Sequence, residues 1–342
     1  MALDSRDPNT ASDASPPFAG LSPDLICDLT DRTGLTTDSR LLALNSYENR
    51  VWQVGLEDDS PIVAKFYRPG RWSDEAILEE HAFAIELEEA GLSVVAPLKI
   101  DGQTLFESDG FRYALFPRRG GHAPELAHEP TLRVIGRALG RLHAVGAIRA
   151  FEHRPNLIDS SRGREAVETL LEGHWIPAHL ETAFASLSEH LLEAIEATWQ
   201  RAGTIQSIRL HGDCHPGNIL WRDDQAHFVD LDDCLNGPAV QDLWMLISGE
   251  RGDRESQLEW LLEEYTRFHA FHPAELHLIE PLRGLRMLHY QAWLARRWHD
   301  PAFPRAFPWF NDGRHWEQVI QQLREQLDEL QQAPLNWFGP SS

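Results

Sequence analysis

His211-Gly212-Asp213-Cys214-His215-Pro216-Gly217-Asn218-Ile219-Leu220-Trp221 is the stretch that decides how this 342-residue chain is read. Asp213 and Asn218 stand five positions apart across a Pro-Gly pair, and the apolar triplet Ile219-Leu220-Trp221 follows directly. A second apolar run ends Phe228-Val229-Asp230-Leu231-Asp232-Asp233. Two short apolar runs joined through Arg222–Gln225 predict a β-hairpin, which would return Asp230 to the side of Asn218. One short segment would thus bring two carboxylates and an amide together. A magnesium ion takes hard oxygen donors, with one or two from protein while phosphates and water supply the rest. A separate carboxylate must position an attacking hydroxyl and accept its proton. The spacing H-x-D-x-x-x-x-N is that of a phosphoryl-transfer loop, with Asp213 as base, Asn218 on metal and Asp230 as the later metal ligand. Gly212 stands where that pattern carries arginine. Asp232 ranks below Asp230, as a second metal ligand or a charge neighbour. Each of these residue types is also a common turn former, so the weight lies in the set rather than in any member. His211, Cys214 and His215 have no standard zinc spacing, and Cys214 reads as packed rather than nucleophilic.

Upstream, Val63-Ala64-Lys65-Phe66 is a strand carrying a lone lysine. The chain has 31 basic residues, and only Lys65 and Lys99 are lysines. A compact ammonium is not interchangeable with a guanidinium fork, so Lys65 is the candidate to hold nucleotide phosphates. Such a lysine needs a carboxylate from a neighbouring helix, predicted over Ser73–Ala90 with Ser73 as its cap. Glu80 shares a face with Ala76, Phe83, Ala84 and Leu87, which calls for a buried partner, whereas Glu79 lies on a charged edge. Glu80 is therefore the choice. No glycine-rich loop precedes the lysine strand. Asn45-Ser46-Tyr47-Glu48-Asn49-Arg50-Val51 stands in its place, with the Ser46 hydroxyl as a candidate phosphate donor.

Further out, 42% hydrophobic residues and twelve Trp mark a globular chain long enough for two lobes. Residues 1–22 read as a tail, and 23–33 as a short helix. Segments 46–55, 61–67, 92–100, 104–107 and 111–116 read as antiparallel strands. After Gly120-Gly121 the pattern is helical: 131–145, 165–201, 257–282, 283–298 and 317–332. The expectation is an α+β chain, with an N-terminal β-rich lobe over 23–117 holding one helix and a larger, mostly helical lobe over 118–342. A net charge of −22 argues against a nucleic-acid or anionic-lipid partner, although a local basic groove fits inside an acidic protein. Three cysteines without a CxxC pair suit a reducing compartment, and the N-terminus lacks a secretory pattern. The expected location is the cytoplasm, and the expected state a monomer.

The run HGDCHPGN, the apolar strand and the Asp230-Leu231-Asp232 that follows resemble the aminoglycoside phosphotransferase and choline kinase superfamily, a branch of the protein-kinase-like fold. Further similarity lies in Leu44–Val51, Val63–Pro69, Ile77–His81, Gly140–His143, Asn236–Ala239, Gln241–Leu246 and Asp300–Pro304, spanning roughly 40 to 310. The longest of these stretches resemble that superfamily's bacterial serine/threonine protein kinases. The resemblance implies a two-lobed fold, ATP as co-substrate and Mg²⁺ on Asn218 and Asp230. It also implies Asp213 as base, Lys65 on the phosphates and Ser46 near ATP, with protein Ser/Thr as acceptor in a bacterial stress response. The missing glycine-rich loop becomes a family trait. Asp242 would fix the backbone of the catalytic loop. Arg286, Arg296, Arg297, Trp293 and Trp298 would form core and groove wall, with an arginine there a candidate to bind substrate. The competing expectation is a small-molecule kinase for an amino alcohol or aminoglycoside, which calls for a compact acidic pocket in the helical lobe. A catalytically dead nucleotide-binding protein is the third reading, against which the intact Lys65, Asp213, Asn218 and Asp230 stand.

Overall fold

The computed structural model describes residues 16–337 and 339. Of the expected tail, residues 1–15 lie outside the described residues, while Phe18 and Leu21 pack against the small-lobe core. Ser22 then caps helix α1 (Pro23–Asp31) by accepting from the Leu25 amide at 3.2 Å.

The small lobe is a five-stranded antiparallel sheet in the order β1-β2-β3-β5-β4. Its strands are β1 (Thr37–Ala43), β2 (Arg50–Leu56), β3 (Ile62–Phe66), β4 (Phe106–Ser108) and β5 (Phe111–Pro117), with helix α2 (Asp74–Glu89) inserted after β3. α1 covers one face through Ile26 and Leu29, packed with Val54, Ala64, Phe66, Tyr113 and Leu115. Strand β1 was not expected from the sequence, since its burial is weak and two-sided polar strands carry little pattern. The strand expected over 46–55 begins only at Arg50, because residues 44–49 form the loop between β1 and β2. The strand expected over 92–100 is an irregular segment instead. Pro97 within it cannot donate to a ladder. Val95 N–H donates to the Phe228 carbonyl, and Phe228 N–H to Ser93, tying this segment to the other lobe.

The large lobe contains α3 (Glu129–Gly146), α4 (Ser161–Glu172), α5 (Ala178–Ala202), α6 (Arg251–Tyr265), α7 (Ile279–Arg297), α8 (Ala302–Ala306) and α9 (Gly313–Glu329). The helical stretch expected over 165–201 is broken at 173–177, where Pro177 starts a new helix. That over 257–282 is broken after Tyr265, and α7 begins only at Ile279. Gly140 lets α3 and α6 touch backbone to backbone, since a Cβ there would meet the Tyr265 carbonyl at 2.4 Å. Four short strands, β6 (Ile208–Leu210), β7 (Ile219–Arg222), β8 (Gln225–Phe228) and β9 (Leu235–Gly237), form two antiparallel pairs, β6 with β9 and β7 with β8. The two lobes share one core at the end of α2. Phe83, Ala84 and Leu87 belong to the large-lobe cluster with Leu142, Phe151 and Leu210. Burying Phe83 and Leu87 there contributes about 1.5–3 kcal/mol each.

Candidate active site

The expected hairpin is present. Ile219 pairs with Phe228 and Arg222 with Gln225, across a two-residue turn whose Asp223 and Asp224 both have positive φ. Val229 N–H donates to the Asn218 carbonyl at 3.0 Å, so the backbone leading to Asp230 lies against Asn218. Asp230 itself is left-handed, at φ 59 and ψ 66, and its side chain is 54% exposed toward the cleft. A non-glycine residue held there costs stability, and such conformations cluster at functional sites.

The loop before the hairpin is held from below. Asp242 is fully buried and accepts from the His211 amide at 2.7 Å and the Gly212 amide at 2.8 Å. His143 braces it, with Nε2 3.1 Å from Asp242 and Nδ1 2.8 Å from the Tyr265 hydroxyl. The Gln241 amide donates to the Gly212 carbonyl at 2.8 Å, and the His211 Nε2 lies 2.9 Å from the Val229 carbonyl. Gly212 has φ 85, and a Cβ there would sit 2.1 Å from the Asp233 carbonyl oxygen. No side chain fits, which accounts for glycine where the phosphoryl-transfer pattern has arginine.

Asp213 therefore projects into the cleft from a rigid loop. Its Oδ1 lies 2.5 Å from Arg286 on α7, and its Oδ2 lies 3.6 Å from His215 Nε2. The Asn218 side-chain amide donates to the Asp213 carbonyl at 3.0 Å, and its oxygen accepts no hydrogen bond among the described residues. One Asp230 oxygen meets Lys65; the other has no protein donor among the described residues. The set of an amide oxygen and an open carboxylate fits a divalent cation that takes its remaining oxygens from phosphate and water. Among the described residues no group of three or more His, Cys, Asp or Glu is placed to hold a metal ion by itself, so a cation here would take few protein ligands.

Lys65 is buried and faces three carboxylates: Asp230 at 3.0 Å, Asp232 at 3.0 Å and Glu80 at 3.4 Å. The contact with Asp232 Oδ1 is an ion pair without hydrogen-bond alignment. Burial opposes the Lys65 charge, but the three carboxylates prevail and raise its pKa well above the usual value. Glu80 is the carboxylate that faces Lys65, as its helical phase implied. Glu79 instead accepts from the Glu152 and His153 amides, at 2.7 and 2.8 Å. Burial pushes Glu80 up to about 7 against the pull of Lys65. Asp232 is buried and held by Lys65, by Arg71 and by the Asn49 amide at 3.0 Å; burial raises its pKa, but Lys65 and Arg71 outweigh it and hold the carboxyl below the usual range. Arg71 also pairs with Asp233 at 2.6 Å. Asp232 is thus a charge neighbour tied to cations, and Asp230 is the carboxylate that opens to the cleft. Arg71 and Asn49 escaped the sequence reading as partners of Asp232. Their only trace was their place in the stretches flanking β2 and β3.

Ser46 is half-buried in the loop between β1 and β2, and it lines the cleft. The same loop reaches the large lobe. Glu48 accepts from Trp293 Nε1 at 2.6 Å and pairs with Arg297 at 2.8 Å. Asp300 pairs with Arg68 at 2.7 Å and Arg50 at 3.1 Å. Arg297 and Trp293 are therefore lobe-to-lobe contacts, and Arg296 binds the Thr169 hydroxyl at 2.9 Å. Cys214 is fully buried, where burial pushes its thiol up.

Between the lobes lies a cleft of about 1440 Å³ that collects Ser46, Asp213, Asn218, Asp230 and Asp232. A cleft-facing carboxylate on a clamped loop, an amide oxygen near an open carboxylate and a buried lysine around one interlobe cleft have the form that phosphoryl transfer in a kinase-like fold calls for. The chain belongs to the phosphotransferase enzyme family, whose model matches residues 40–276. It is 45% identical over 318 residues to stress response kinase A of Escherichia coli (strain K12), covering 93% of this chain and 96% of that protein. It is 44% identical over 318 residues to the serine/threonine protein kinase RdoA of Salmonella typhimurium (strain LT2), with the same coverage of both. Among solved structures, the amicoumacin kinase hAmiN, in complex with AMP-PNP, Ca²⁺ and Ami, matches with a TM-score of 0.69 at 17% identity, covering 92% of this chain and 96% of that one. A microcompartment-associated aminopropanol kinase matches at 0.65 and 16%, covering 89% and 95%. These two establish the fold.

Proposed function

We propose that the chain is an ATP- and Mg²⁺-dependent kinase that phosphorylates Ser or Thr hydroxyls of proteins. It would act as a cytoplasmic monomer in a bacterial stress response. The observation that carries the reading is Asp213, held on a clamped loop at the floor of the cleft and opposite Lys65 and Asp230. The protein acceptor is supported by the 45% identity to stress response kinase A and by the kinase name of RdoA. No helix among the described residues is long and apolar enough to cross a membrane.

In this reading Asp213 orients the acceptor hydroxyl and takes its proton as the new oxygen–phosphorus bond forms; the bond from the γ-phosphorus to ADP breaks, and ADP leaves. Lys65, oriented by Glu80, neutralises phosphate charge, and Ser46 donates its hydroxyl to a phosphate oxygen. Asn218 and Asp230 would hold Mg²⁺, which when bound spreads the charge of the phosphate oxygens. Arg286 leaves Asp213 when the acceptor enters and faces the phosphoryl group in transfer. The amino-alcohol or aminoglycoside alternative calls for an acidic acceptor pocket, and the acceptor side here carries Arg162, Arg286 and Arg314.

The test is transfer of label from γ-labelled ATP to protein acceptors by wild type and Asp213→Asn. The variant should lose roughly 10²–10⁴-fold in turnover, the range for a general base, with unchanged thermal unfolding. Near-normal turnover would remove Asp213 from the role of base, and label on amino alcohols or aminoglycosides alone would replace the protein acceptor with a small one.

A further inference from the structure

The acceptor side of the cleft has a charge opposite to that of the whole chain. The protein carries −22, yet the wall formed by α4, α7 and the start of α9 presents Arg162, Arg283, Arg286 and Arg314. Their engagement differs. Arg286 is paired with Asp213. Arg283 lies 3.4 Å from Glu280 and over the Trp244 ring. Among the described residues, the guanidinium groups of Arg162 and Arg314 make no hydrogen bond and no ion pair, although both line the cleft. Of the acidic groups near this side, Glu165 is exposed and reaches Arg162 only through its field, and two others are engaged elsewhere. Asp233 is held by Arg71, and Asp312 caps α9 by accepting from the Arg314 backbone amide at 3.1 Å.

His289, on α7 and lining the same wall, senses the field. Burial and then Arg162 depress its pKa to about 4, with Arg296 and Arg286 acting the same way and Asp233 opposing. Arg162 is half-buried and Arg314 exposed. Burial lowers the Arg162 pKa and outweighs the charges of Asp233 and Glu165, so a half-buried cation stands there without a bonded carboxylate, which is costly unless something else meets it. Arg162 lies at the second position of α4, where a shorter polar residue would serve the helix as well.

We infer that the acceptor is acidic: the Ser or Thr that reaches Asp213 lies in a protein segment with Asp or Glu within a few residues, and those carboxylates pair with Arg162 and Arg314. The inference rests on the protein-kinase reading and adds the charge class of its substrate. It also accounts for an acidic protein accepting an acidic partner. The long-range field repels such a partner, but specificity is decided at contact, where opposite charges meet within the cleft.

The experiment uses the full chain and length-matched Ser peptides flanked by Glu, Gln or Lys, with amino alcohols, aminoglycosides and hydroxy acids as separate acceptors. Wild type should prefer the Glu peptide to the Gln peptide by about tenfold in kcat/KM, as two partly shielded ion pairs would give. In the double variant Arg162→Glu/Arg314→Glu the preference should invert toward the Lys peptide. Its KM for ATP should stay within about twofold, since the nucleotide side is untouched. Peptide labelling without a charge preference, a wild-type preference for Lys flanks, or an unchanged preference in the double variant would overturn the inference while leaving the protein-kinase reading standing. Label on small molecules and on no peptide would overturn both.

Discussion

Near the strand that carries Lys65, the small-lobe residues Lys65, Arg71 and Glu80 interlock with Asp230 and Asp232 of the large lobe; on the helical wall, Arg162 and Arg314 face the same cleft with no hydrogen bond or ion pair to their guanidinium groups among the described residues. The first group is largely buried and is organised before any ligand arrives. The second is left to be completed by something that enters. A site that must present a lysine and a metal ligand in fixed geometry gains from partners that lock each side chain. A wall that must discriminate between acceptors gains from charges left unsatisfied until contact.

This contrast can be broken most severely at Lys65. In Lys65→Met the carboxylates of Glu80 and Asp232 lose their shared cation inside the protein. The expected cost is about 3–5 kcal/mol in urea unfolding, together with loss of transfer. A cost under about 1 kcal/mol, the scale of exposed pairs, would mean that water already reaches these groups and would erase the difference between the walls.

A middle-sized effect concerns His81, which stands behind the lysine. Its Nε2 lies 2.7 Å from the Tyr67 hydroxyl and its Nδ1 2.9 Å from Thr104 Oγ1. Burial, and then the Lys65 charge, hold its pKa near 3. The folded value is depressed below the unfolded one of about 6.5, so its contribution is complete above that pH and falls away as pH drops toward 3. The His81 contribution, read as the difference between wild type and His81→Gln, should decline by roughly 1 kcal/mol per pH unit between 6.5 and 4.5. Glu80 and Glu275, both pushed up to about 7 by burial, act in the opposite direction in both proteins and cancel in that difference. Unfolding curves of the two proteins across this window measure it; a constant difference would place the acid sensitivity elsewhere, with His289 next in line.

The smallest expected effect belongs to the helical wall. Arg162→Gln removes a half-buried charge that forms no ion pair among the described residues, so stability should hold or rise, by no more than about 0.5 kcal/mol. A calorimetric loss well beyond that would show Arg162 to be a structural residue.

Much of the catalytic side was legible because its logic is local. Asp213, Asn218 and Asp230 lie within one loop and one two-residue hairpin, so spacing alone places them together. Glu80 was separable from Glu79 by helical phase, since the face shared with Ala76, Phe83 and Leu87 must go inward. The strand expected over 92–100 failed for the opposite reason. Val94 is buried beside Phe228 in the large-lobe core while Ile100 packs on the small-lobe core, and such burial leaves the same trace in a sequence as a strand does. The role of Asp232 depends on Arg71, 161 positions away, and on Asn49, 183 positions away, and no local pattern carries such a pairing.

By itself, the sequence determined the two-lobed α+β plan, the loop and hairpin that bring Asp213, Asn218 and Asp230 to one place, and the pairing of Lys65 with Glu80, because each follows from short-range spacing and periodicity. Only the tertiary structure decided which carboxylate opens to the cleft, why position 212 excludes a side chain, and where the unpaired arginines stand. Those outcomes depend on distances between elements far apart in the chain. Packing of α4 against α7 and of the β1–β2 loop against the large lobe sets those distances, and neither contact has a local signature.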